Sequence, residues 1–177
     1  GTPMIIGGTN RVRFIFEEKP NEITIDGAHY YLGELTDVEY KNPYLEDGIM
    51  TDYGLKRVID WVDKCSDEEF VRDFDLYFHR DYTLRYYLLV ITLGMIDNLG
   101  KNMMFDTWDC KIWMPRFYDC DTICSYSNDG TIKFDVDIEM EQGYWNTSAS
   151  RLWTRIRDLM HNELVAKYAV MRANGLT

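Results

Sequence analysis

Between Leu84 and Asp121 the spacing of apolar residues changes from helical to strand-like, and that change limits the chain to a mixed fold. Leu84, Leu88, Ile91 and Met95 lie on one stripe of a helix that Asp81 is placed to cap. The stripe runs out at Asp97-Asn98-Leu99-Gly100-Lys101-Asn102, where Gly94 and Gly100 let the backbone turn. Residues 101–106 and 111–117 then read as two strands around a turn at 106–110, and the chain leaves the pair through Asp119-Cys120-Asp121. A helix feeding a strand pair between two acidic turns is an α+β arrangement.

The flanking sequence extends this pattern. Residues 11–16 alternate and read as a strand, and residues 22–25 as a second one ending at Asp26-Gly27. Residues 26–50 mix Gly, Asp, Asn and Pro43 with tyrosines and read as an irregular linker. From Thr51, a candidate cap, Leu55, Val58, Ile59 and Val62 follow helical spacing. Ser66 and Glu69 form a capping box for a short helix carrying Phe70 and Phe74. Residues 131–138 alternate as a strand after Asn128-Asp129-Gly130, Ser148 is placed to cap a helix bearing Leu152, Ile156 and Leu159, and a last helix spans 161–173 before Gly175. The organisation expected is N-terminal strands and linker over 1–50, then a helix-rich domain over 51–177, together one compact unit.

A chain of 177 residues that is 46% hydrophobic can bury a full core. Its net charge of −11 argues against nucleic acid and anionic membranes as partners, since both need clustered Lys and Arg. Arg151, Arg155 and Arg157 alternate with apolar residues and read as one solvated helix face. Cys65, Cys110, Cys120 and Cys124 are too sparse for a secreted disulfide framework and lack a Cys-x-x-Cys pair for zinc, so reduced thiols are expected. There is no signal peptide and no bilayer-spanning apolar run, as expected of a soluble protein. The Gly1-Thr2-Pro3 start reads as an excerpt of a longer polypeptide or a tag remnant.

The candidate chemistry sits in the two acidic turns. An Asp, an Asn five positions later and another Asp about twenty residues on is the order in which kinase catalytic loops place base and metal ligands. Asp97 is then the candidate base, Asn102 with Asp119 or Asp121 the metal ligands, and Lys101 a candidate for a phosphate. Mg²⁺ or Mn²⁺ suits such carboxylate and amide oxygens. The same Asx residues also suit tight turns that satisfy backbone donors. His79-Arg80-Asp81 spells the kinase tripeptide, but Tyr86 stands where its Asn belongs, so the tripeptide is set aside.

The runs Tyr86-Tyr87-Leu88-Leu89, Ile96-Asp97-Asn98-Leu99-Gly100-Lys101-Asn102-Met103 and Lys111-Ile112-Trp113-Met114-Pro115-Arg116-Phe117-Tyr118-Asp119-Cys120-Asp121-Thr122 resemble the CotH family of spore-coat-type atypical kinases. The wording is closest to a subset carried within large phage virion proteins. The resemblance covers roughly residues 55–175 and is sharp only over 97–122. It departs where Cys120 separates the aspartates and Ile123-Cys124-Ser125 stands in place of an expected Gly. It implies a fold like the larger lobe of a kinase, with a small β-hairpin or sheet. It also implies partners among other virion proteins or the rest of a longer chain, or a homo-oligomer, in the virion or the host cytoplasm. Two functions stay open: a non-catalytic structural module with an ion site, and an active kinase transferring the ATP γ-phosphate to protein hydroxyls. The sequence contains no Gly-x-Gly-x-x-Gly loop and no Val-Ala-Ile-Lys-like strand.

Overall fold

The structure, a computed structural model, describes residues 4–7, 21–25, 28–32, 40–42, 55–95, 98–99, 102–109, 111–126, 130–132 and 150–176, with side chains from residue 57 onward. The strands are β1 (Met4–Gly7), β2 (Asn21–Ile25), β3 (Ala28–Leu32), β4 (Tyr40–Asn42), β5 (Met103–Thr107) and β6 (Met114–Phe117). The helices are α1 (Leu55–Lys64), α2 (Asp67–Asp73), α3 (Arg80–Thr92), α4 (Arg151–Leu159) and α5 (His161–Ala173). The architecture is helix-rich α+β. An antiparallel sheet has the order β4-β1-β5-β6, and β2 pairs with β3 as a separate ribbon.

The strand pair β5–β6 lies where the alternation places it, with Met103 opposite Phe117 and Asp106 opposite Met114. Its outer edge is taken by β1, which sets Met4 against Thr107 and Gly7 against Met104. β3 and β4 fall inside residues 26–50, a stretch expected to be irregular. Their strand character comes from their partners, β2 and β1, rather than from clear alternation of their own. The strand expected at 11–16 and most of the one expected at 131–138 lie outside the described residues, while Ile132 forms an isolated bridge to Tyr126.

Ser66 caps α2 as the sequence predicts: its hydroxyl accepts from Glu69 N while the Glu69 carboxylate accepts from Ser66 N. Two other caps differ. The cap of α3 is His79, whose Nδ1 accepts from Tyr82 N, and Asp81 lies inside the first turn. The reason is the segment alongside. Trp113 N donates to Tyr77 O and His79 N donates to Trp113 O, which bridges Phe78 to Trp113 and keeps residues 78–79 out of the helix until Arg80. The cap of α4 is Ser150, not Ser148, with its hydroxyl accepting from Trp153 N.

The core is aromatic. Trp61 stacks on Phe70 with ring centres 4.9 Å apart and on Tyr77 at 4.0 Å. Phe74 and Phe78 continue the cluster to Phe105 of β5, and Trp153 joins it to Tyr86 and Tyr87 of α3. Arg155 does not belong to a solvated face. It is buried, donates to the carbonyls of Val62, Cys65 and Ser66 and to Asp67, and lies over the Phe70 ring. No helix among the described residues is long and apolar enough to cross a membrane, and Cys65, Cys120 and Cys124 carry free thiols.

Candidate functional site

Asn102 and Asp119 meet at the open base of the β5–β6 pair. Asn102 precedes β5 and Asp119 follows β6 by two residues, so the antiparallel pairing returns the second turn to the first. The Asn102 Nδ2 donates to the Asp119 backbone carbonyl at 3.3 Å. Both residues adopt left-handed backbone, with φ of 45° at Asn102 and 47° at Asp119. Asn and Asp tolerate this region better than other side-chain-bearing residues because their short polar groups bond locally. Asn102 is buried, whereas Asp119 and Asp121 are exposed.

The turn is tied to α3 through Asn98. The Tyr86 hydroxyl, on α3, donates to Asn98 O at 2.7 Å. The Asn98 Nδ2 then donates to Asn102 O at 2.8 Å and to Tyr118 O at 3.0 Å. Beside it, the Asp119–Ser125 segment is fastened to the end of the same helix. Cys124 N donates to Leu93 O at 2.7 Å and Ser125 N to Gly94 O at 3.0 Å.

The electrostatics follow from burial and from the two aspartates. Burial pushes the Cys120 thiol above its ordinary value, and the flanking carboxylates of Asp119 and Asp121 push it the same way. Cys120 is therefore a protonated, half-buried thiol rather than a nucleophile. Burial likewise holds the Tyr86 phenol well above its usual range, so it remains a hydrogen-bond donor.

Of the residues singled out in the sequence, the structure brings together Asn102 and Asp119, with Asp121 two residues on. Asp97 and Lys101 lie outside the described residues. With its Nδ2 committed to Asp119 O, Asn102 has its Oδ1 as the side-chain acceptor. That oxygen and the Asp119 carboxylate are hard donors suited to a small divalent cation. Among the described residues, no three of His, Cys, Asp and Glu gather into a metal-binding group. Mg²⁺ takes oxygen donors of this kind while keeping much of its hydration shell.

The His79-Arg80-Asp81 tripeptide is occupied structurally. Beyond the His79 cap, Arg80 donates to Asp75, Glu163 and Val71 O, and Asp81 pairs with Arg85 and Lys167. The residue that sequence reading passes over is Asn98. It lies beside the candidate base, and an Asn before Leu-Gly reads simply as a turn residue. No protein-family model matches the sequence, and no curated protein matches it.

Proposed function

We propose that this chain is a CotH-like, kinase-shaped domain serving as a non-catalytic structural module of a phage virion protein, with the Asn102–Asp119 turn binding one hard divalent cation. The observation that carries the reading is the hydrogen bond from Asn102 Nδ2 to Asp119 O. It joins the Asn and the Asp of the sequence motif across the base of the strand pair, the juxtaposition that the CotH resemblance implies. The non-catalytic part rests on the sequence, which offers no glycine-rich phosphate loop and no pairing-lysine strand. Contacts with other virion proteins, or with the rest of a longer chain, belong to the same proposal.

Thermal unfolding with rising Mg²⁺ or Mn²⁺ tests the ion site. Mass action at a hundredfold excess over Kd adds about 2.7 kcal/mol, and Asp119→Ala removes the gain. An unmutated protein that gains nothing at millimolar cation refutes the site. Phosphoryl transfer from ATP with Mg²⁺ to a generic protein acceptor tests the other half, and no incorporation is expected. Robust incorporation that both Asp97→Ala and Asp119→Ala abolish makes the active kinase the better reading.

A further inference from the structure

Asn98 is fully buried, and among the described residues its Oδ1 has no hydrogen-bond partner. A buried acceptor left unpaired costs about 1–3 kcal/mol. An apolar residue of similar size avoids that cost, but it forgoes the bonds made by the other half of the side chain. The two Asn98 N–H groups reach the Asn102 and Tyr118 carbonyls, which lie just beyond the last paired residues, Met103 and Phe117. At that point the ladder ends and the strands are free to splay. The amide staples them.

The position of these two carbonyls sets the geometry of the candidate ligands. Asn102 O moves with ψ of Asn102, and the Tyr118 carbonyl shares its peptide plane with Asp119 N, so holding it fixes the axis about which φ of Asp119 turns. One amide therefore restrains both left-handed residues at once, and the Tyr86 hydroxyl anchors it in turn to α3. Serine offers one donor and aspartate none when ionised; only a short primary amide spans both carbonyls.

We propose that Asn98 is the positioning residue of the cation site, setting Asn102 Oδ1 and the Asp119 carboxylate in register without touching the ion. The inference rests on the ion-site reading above, and its test separates the two. In the cation-free 177-residue chain, the Asn102 side-chain NH₂ resonances report its bond to Asp119 O. In Asn98→Ala they lose their protection from solvent exchange, while backbone amides of α3 and α5 keep theirs. With MnCl₂ as the probe, the affinity of Asn98→Ala falls tenfold or more, the range seen when an outer partner of a metal ligand is removed. Asn98→Ser, which keeps one donor, falls between, and it supplies the comparison if the alanine variant does not fold.

A folded variant with unchanged Asn102 side-chain resonances overturns the proposal. So does a variant with a lower Tm but unchanged Mn²⁺ affinity, because that is the signature of a merely structural residue. A wild-type chain that binds no Mn²⁺ refutes the ion-site reading, and with it Asn98's role toward a cation. The side-chain resonances then still decide whether Asn98 holds Asn102 against Asp119.

Discussion

Arg155 carries a charge into the seam between α1, α2 and α4. Helix α1 ends at Lys64, and its last carbonyls have no partners within the helix. The Arg155 guanidinium satisfies that of Val62 at 2.7 Å and reaches Cys65 O, just past the helix end, at 3.0 Å, together with Ser66 O and Asp67 at the start of α2. A cation at a helix C-terminus is favoured by the helix dipole, and the planar group also lies over Phe70. Arg155→Ala is expected to cost about 3 kcal/mol in urea unfolding, because it leaves the buried Val62 carbonyl and the half-buried Cys65 carbonyl without that donor. Arg155→Lys recovers little, since a single ammonium lacks the fork that spans them. The alternation with Arg151 and Arg157 makes Arg155 look solvated. The informative signal was its place three residues after Leu152 and four before Leu159, on the apolar stripe. Trp108 and Trp113 show the same ambiguity within one strand pair: Trp113 is fully buried and Trp108 is 61% exposed. Trp113→Ala is expected to cost about 3–5 kcal/mol, whereas Trp108→Ala stays within about 0.5 kcal/mol.

At the scale of elements, α3 and the Asp119–Ser125 segment approach closely at Gly94. Gly94 has φ of 57°, and a Cβ there would stand 2.4 Å from Ser125 Oγ. Gly94→Ala therefore adds a clash to left-handed strain and is expected to cost about 2 kcal/mol or more in chemical unfolding. Ser125 also has a φ of 60°, so Ser125→Gly relieves strain at one residue and clears the clash at the other. The double variant should lose less than the sum of the single changes, and a double-mutant cycle measures that coupling. Elements governed by local rules were legible in the sequence. The Ser66–Glu69 box, the β5–β6 pair and the bounds of α5 depend on spacing and caps within a few residues. What escaped depends on partners distant in the chain. β1 joins β5 across about a hundred residues, His79 takes the α3 cap because Trp113 holds it extended, and Asn98 acquires its role from carbonyls on both sides of the strand pair. Periodicity carries none of those pairings.

At the scale of the whole molecule, acidic side chains among the described residues form specific ion pairs, and one group of them closes the seam between α3 and α5. Arg80 of α3 meets Glu163 of α5 at 2.9 Å, and Lys167 of α5 meets Asp81, which also pairs with Arg85 at 2.8 Å. The hydrogen bond from Lys167, helped by Arg85, holds the Asp81 carboxyl below its ordinary value. A depressed carboxylate contributes stability that is fully present above its unfolded value near pH 4 and is lost as pH falls through the lower folded value. Asp81→Asn should therefore unfold at lower urea than the wild type at pH 7, and the two proteins should converge as the pH is taken down below about 4. The pairs are partly open to solvent, with Asp81 about half exposed, so added salt should narrow the pH 7 difference. Asp109 offers a contrast at the end of the strand pair. Its carboxyl is held low chiefly by the backbone N–H of Ile112, and also by Lys111 N and the Thr107 hydroxyl, rather than by a counter-ion. Asp109→Asn keeps an oxygen for those donors but no longer titrates. It should therefore flatten part of the acid limb of the stability curve while changing its salt dependence far less than Asp81→Asn does. Urea midpoints between pH 7 and pH 2.5, at low and high salt, check both expectations. Equal salt sensitivity of the two variants would show that long-range charge, rather than these local bonds, sets the acid response.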